Sequence, residues 1–179
     1  MRQHGDLRHL LVQVEDQHHR SVGWGCDTSR LFMIIHSSER HETTLPCRLV
    51  QHLGPWEWTV WVAGVAQAPG ATGDLDHDLD LLADHSETIA HHLTESELVA
   101  VGLMREWAEV HDASDPHDTG EVHQRVLTAV SVDGTIYSLR RERSGKEVRA
   151  ETIAADECPF APALARVAER LRAHELHRP

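Results

Sequence analysis

The stretch Gln124–Glu142, QRVLTAVSVDGTIYSLRRE, is where period-two patterning and turn chemistry agree. Val126, Thr128, Val130 and Val132 share one parity, and Leu127, Ala129 and Ser131 share the other. Asp133-Gly134 then supplies two residues that tolerate positive φ, the signal of a hairpin turn. Thr135, Ile136, Tyr137, Ser138 and Leu139 return with the β-branched and aromatic bias of a pleated surface, and the strand runs out into Arg140, Arg141, Glu142 and Arg143.

Two further apolar runs extend the sheet. Leu31–Ile35, LFMII, is continuous and short, which predicts a strand over residues 30–36 buried on both faces. From Trp56 to Ala66 the residues alternate, with Trp56, Trp58, Val60 and Val62 on one parity and Glu57, Thr59, Trp61 and Ala63 on the other. Trp56 and Trp58 are assigned to the core, and Trp61 is kept as a candidate binding residue. Between these runs CRLVQHLG, bracketed by Pro46 and Pro55, is read as a turn or short helix. Residues 97–109 fit two patterns. Thr94-Glu95-Ser96-Glu97 matches a capping box, while Val99, Val101, Leu103 and Trp107 alternate as a strand face. A strand joined through the polar loop His111–Gly120 makes an antiparallel meander, which the connection length favours. Glu147–Ile153 follows the turn Ser144-Gly145-Lys146 as an edge strand protected by its charges.

Both ends read as amphipathic helices. Leu7, Leu10, Leu11 and Val14 recur at helical spacing over residues 6–18, with Asp6 as N-cap and His9, Glu15, Asp16 and His18 on the polar face; Gly23-Trp24-Gly25 stops the helix. After Pro159 and Pro162, Leu164, Val167, Ala168, Leu171 and Leu176 form a stripe opposite Arg166, Glu169, Arg170 and Arg172. At 179 residues the chain reads as a single α+β domain. Its expected core is a mostly antiparallel sheet of four to five strands, with the N- and C-terminal helices packed on one face.

Composition bounds the function. The chain holds 17 Lys+Arg against 29 Asp+Glu, a net charge of −12, which repels a phosphate backbone and argues against direct nucleic-acid binding. A protein partner with a basic surface fits that charge. Sixteen histidines titrate near pH 6.5, so solubility should depend on pH between 5 and 8. Lys146 is the one lysine, a bias that reads as the codon usage of a high-GC genome and carries little functional weight. The start shows no signal-peptide core and no stretch reaches membrane-span length, so the expected location is cytoplasmic. Cys26, Cys47 and Cys158 form no C-x-x-C pair, and neither a disulfide framework nor a thiolate zinc site is expected.

The acidic stretch at about 67–86 is the most unusual, and is expected to be a mobile loop or short helix. Asp76, Asp78 and Asp80 are candidate binding residues there, beside Trp24 and Arg30 nearer the N-terminus. An EF-hand counted from Asp74 fails, because position six is Leu79 and position twelve is His85. His77, His85, His91 and His92 are the candidate metal ligands should the chain hold a metal, but no H-E-x-x-H supports them. No G-x-S-x-G, G-x-G-x-x-G or phosphate-binding P-loop occurs, and no catalytic residue or cofactor is expected.

Gly23-Trp24 ahead of Arg30-Leu31-Phe32, the Val132-Asp133-Gly134 hairpin and the C-terminal amphipathic helix loosely resemble a family of uncharacterised actinobacterial proteins of similar length. That resemblance implies no activity and transfers no catalytic residue. The function expected from the sequence is a small acidic, non-catalytic interaction module of adaptor or inhibitor kind. The alternatives are a metal-dependent hydrolase using His77, Asp78, His85 and His91, and a self-assembling subunit that makes contact through the edge strand near Glu147–Ile153.

Overall fold

A computed structural model of the chain describes residues 7–25, 29–37, 51–52, 58–64, 72, 74–84, 86, 96–110 and 121–176. Within them three α-helices and seven strands alternate as α1 (Leu7–Val22), β1 (Arg30–Ser37), β2 (Gln51–His52), β3 (Trp58–Gly64), α2 (Leu75–Asp84), β4 (Ser96–Val110), β5 (Glu121–Ser131), β6 (Ile136–Glu142), β7 (Arg149–Ile153) and α3 (Ala161–Leu176). All pairings in the one sheet are antiparallel, in the order β2-β3-β1-β4-β5-β6-β7. The α+β architecture and the antiparallel sheet agree with the sequence. The sheet is larger than expected, because the CRLVQHLG segment contributes the two-residue β2 and residues 96–110 are a strand throughout. The capping-box reading of residues 94–97 gives way to the meander, since a strand there buries Leu98, Val99, Val101 and Leu103 between its neighbours.

The terminal helices cover opposite faces of this sheet, a correction to the expected single layer. β1, β4 and β5 are apolar on both sides, so a helix on one face alone would leave the other wet. Leu31, Met33, Ile35, Val101, Leu103 and Val130 pack with Leu79 and Leu82 of α2 and Leu164, Val167 and Leu171 of α3. Phe32, Ile34, Met104, Leu127, Ala129 and Leu139 pack with Leu7, Leu10, Leu11 and Val14 of α1. Each fully buried leucine in these layers contributes about 1.5–3 kcal/mol.

Local chemistry sets the element ends. Gly23 (φ 74°) stops α1, its N–H returning 3.0 Å to the His19 carbonyl, the left-handed closure that glycine makes without steric cost. The hairpin after β5 uses three loop residues, not two. Ser131 donates its N–H to Thr135 O (3.0 Å), Gly134 N–H closes onto Ser131 O (2.9 Å), and Gly134 takes φ 86° as the bulge residue. The Asp133 carboxylate secures the loop by accepting the Thr135 N–H at 3.1 Å. Between Ile34 and Ile35 the β1–β4 register shifts so that Val99 is extra, and its carbonyl accepts the Val132 N–H at 2.9 Å. Beyond β7 a single 3₁₀ turn, Ala155–Glu157, leads into α3, with Arg105 of β4 lying 4.9 Å over the Phe160 ring.

Candidate functional site

The sequence candidates separate onto the two faces of the sheet. On the side of α1, the apolar stripe Leu7, Leu10, Leu11, Val14 continues at the same spacing into Glu15 and His18, both buried. They belong to the sheet-facing stripe and not to the polar face where the sequence reading put them. Glu15 (1 % exposed) lies between Arg125 of β5 (0 %) and Arg141 of β6 (3 %), which stand opposite each other in the ladder. Its Oε1 accepts Arg125 Nη1 at 3.2 Å and its Oε2 accepts Arg141 Nε at 2.7 Å. Arg125 also donates Nε to Glu106 Oε1 at 2.9 Å and Nη2 to the Gly23 carbonyl, while Arg141 reaches Asp16 and donates Nη1 to the Lys146 carbonyl at 2.9 Å. Three carboxylates thus hold two guanidinia, and every buried charge has hydrogen-bonded company, the condition under which burying ions is tolerated. For Arg141, burial opposes the charge, but Glu15 and Asp16 more than offset it and raise its pKa above the usual arginine value.

Trp24 and Arg30 border this cluster. The Trp24 ring stacks 4.6 Å from the Arg125 guanidinium and meets His19 edge-on at 6.1 Å. Gly25 N–H donates to Glu106 at 2.9 Å, so the turn that ends α1 is fastened to β4 and β5. His18 packs edge-on to Phe32 at 6.4 Å, and its pKa falls to about 4 because burial disfavours the imidazolium and Arg125 and Arg30 add repulsion. Trp24 is half-buried in this stack, and Arg30 is half-buried at the start of β1. Trp61 falls in β3 opposite Met33, its side chain outside the described residues.

On the other side of the sheet, the acidic stretch forms α2. Asp74 Oδ1 accepts the N–H groups of Asp76 (3.1 Å) and His77 (3.3 Å), capping the helix and placing carboxylates where the dipole favours them. Leu79, Leu82 and Ala83 turn inward onto the α3 layer. Asp78 also turns inward and accepts from Thr72 N (2.7 Å) and Oγ1 (3.3 Å). That leaves Asp76, Asp80 and Asp84 exposed at i, i+4 and i+8 on one stripe. Asp80 Oδ1 takes Arg166 Nε at 3.0 Å and Nη2 at 2.5 Å. Between α2 and α3 lies an open groove of about 510 Å³ lined by Asp80, Ala83, Asp84, Arg166, Glu169 and Arg170. Asp76, Asp84 and Glu169 hold no ion pair among the described residues.

His77 is exposed on α2; His85, His91 and His92 lie outside the described residues. Among the described residues no group of three or more His, Cys, Asp or Glu side chains is placed to hold a metal ion, and no helix is long and apolar enough to cross a membrane. Sequence reasoning missed Glu15, Glu106, Arg125 and Arg141, although Glu15 continues the α1 stripe at unbroken spacing. It also missed Glu169, which belongs to the acidic groove only because α3 packs beside α2. No family model matches the chain, and neither the curated proteins nor the solved structures include one that matches it.

Proposed function

We propose that the chain is a non-catalytic protein-interaction module, of adaptor or inhibitor kind, that presents the acidic α2–α3 groove to a basic surface on a cytoplasmic protein. The carrying observation is that α2 is fixed by Leu79 and Leu82 on one side while Asp76, above the groove, and Asp84 and Glu169, which line it beside Arg170, face outward without an ion-pair partner among the described residues. A rigid array of carboxylates steers a cationic partner and fixes its register, at a cost in ordering lower than a flexible tail would incur. The chain's net charge of −12 supplies the long-range part of the attraction. The metal-hydrolase alternative fares less well, since Asp78 is engaged by Thr72 and turned away from exposed His77.

Capture from a native lysate at low and moderate salt tests the proposal. The wild-type chain should retain a partner at low salt and release part of it at moderate salt, and Asp76→Asn/Asp84→Asn/Glu169→Gln should retain much less. Recovery of no partner at either salt, or equal recovery by the variant, would overturn it.

A second reading, self-association, draws support from one observation: β7 ends the sheet, and among the described residues no strand pairs with its outer side.

A further inference from the structure

The direction of β7's backbone groups follows from the hairpin. The Ser131 N–H to Thr135 O bond makes those two residues a hydrogen-bonded pair. In an antiparallel ladder bonded and non-bonded pairs alternate, so Ala129/Tyr137 and Leu127/Leu139 are bonded pairs too. Tyr137 and Leu139 therefore spend their N–H and C=O on β5. Their partners on the other side are Thr152 and Ala150, whose backbone groups must then point away from β6 to the open edge. One of those groups is already taken. Arg8, in the first turn of α1, donates its Nη2 to the Ala150 carbonyl across 142 residues of sequence.

The side chains along this edge are ordered as well as charged. Arg149 stands opposite Arg140, two like charges on neighbouring strands with no ion pair among the described residues, an arrangement that costs stability when nothing compensates it. Arg140, Arg149 and Lys146 line an open groove of about 520 Å³ together with Glu142 and Glu147. Glu151 follows two residues after Arg149 on the same face, and Val148 and Ala150 pack on the opposite face with the layer under α1.

We propose that β7 is a self-pairing edge: it joins antiparallel to β7 of a second copy of this chain, with Ala150 opposite its own mate, and Arg8 holds that edge closed in the lone protomer. In this register Arg149 faces the partner's Glu151, and the reciprocal pair forms across the two-fold axis. The partner's carboxylate gives Arg149 a directly facing counter-charge, in addition to Glu142 and Glu147, which line the same groove. Val148 faces the partner's Thr152, again twice, a pairing of β-branched side chains that suits a pleated surface. A shift of the axis by one residue sets Glu151 against itself. Charges and side-chain caps commonly blunt edges in monomers. Here the order Arg-Ala-Glu is also complementary to its own reverse, and the contact closes as an isologous pair. Arg8 occupies the carbonyl at the axis, so pairing requires it to swing away.

This inference rests on the self-association reading and not on the acidic groove, so neither one's failure touches the other. Sedimentation velocity on the full chain tests it. Arg8→Ala, with Arg8→Gln as a second variant should the first not fold, should dimerise at least tenfold more tightly than the wild type. Adding Glu151→Arg should weaken that dimer at least tenfold, and adding Arg149→Glu as well should restore it, because the swapped pair is again complementary. An Arg8 variant that associates no more tightly than the wild type, a dimer indifferent to Glu151→Arg, or a charge swap that fails to restore pairing would each overturn the proposal.

Discussion

Replacing Glu15 with Gln removes the charge that two buried guanidinia share while keeping the side chain's shape. Glu15 accepts from Arg125 at 3.2 Å and from Arg141 at 2.7 Å, and all three are almost fully enclosed. Breaking a buried ion pair by removing one partner typically costs about 3–5 kcal/mol, because the remaining charge stays desolvated. Glu106 still serves Arg125 and Asp16 still serves Arg141, so the expected loss lies at the lower end, about 3 kcal/mol. In a chain of this size that lowers Tm by roughly 6–12 °C. Urea denaturation at pH 7, followed by the tryptophan fluorescence to which Trp24 on Arg125 contributes with four other tryptophans, reads the change. The midpoint should fall with the slope unchanged. Replacing Glu15, Arg125 and Arg141 by leucines together with Glu106→Gln, which removes the carboxylate that Arg125 would otherwise leave unpaired, should cost less than Glu15→Gln alone. A Glu15→Gln penalty below about 1 kcal/mol would refute the reading of Glu15 as the buried counter-ion shared by Arg125 and Arg141.

The remaining predictions concern packing and protonation. His18 has a folded pKa near 4, against an ordinary 6.5, so the unfolded chain takes up the proton first. Its neutral form is fully present above pH 6.5, and stability is lost as pH falls from there towards 4. Between pH 7 and 5 the wild type should lose about 1–2 kcal/mol more than His18→Gln, measured by urea titration at each pH. Gly102 lies where β4 meets β5, and an added Cβ would sit 3.2 Å from the Thr128 carbonyl oxygen and 3.3 Å from Ala129 Cβ. Gly102→Ala should therefore cost about 1–2 kcal/mol by thermal melt, where an open strand position would gain from the same change. Leu164→Ala, at a site with no exposure, should cost about 2–5 kcal/mol in the same assay, more than the same truncation at half-buried Leu75.

Much of this fold is legible in the sequence because two kinds of period carry it. LFMII at 31–35 is apolar throughout and the VLTAV run at 126–130 is broken only by Thr128, and both are central strands buried on two faces. Leu164, Val167, Ala168 and Leu171 mark the buried side of α3, as their spacing indicates. The same apolar strands imply cover on both faces, yet which helix takes which face is set by tertiary contacts that no local period encodes. Glu15 and His18 were misplaced for a related reason. Hydropathy marks them as surface residues; the guanidinia of Arg125 and Arg141, distant by more than 100 residues, make the burial of Glu15 favourable, while His18 is buried edge-on against Phe32. The aspartates of α2 show the limit most plainly. Asp76, Asp78 and Asp80 look equivalent in sequence, but 100° per residue turns Asp78 into the protein and leaves its neighbours to solvent. Glu169, remote in sequence, joins them only through the α2–α3 packing.

The binding claim is tested most directly on the captured partner itself, by measuring its Kd for the wild-type chain and for Asp76→Asn/Asp84→Asn/Glu169→Gln across a series of salt concentrations. Electrostatic docking on the α2–α3 groove predicts at least tenfold weaker binding by the variant at low salt and a shallower salt dependence. Equal affinities with parallel salt dependence would contradict it.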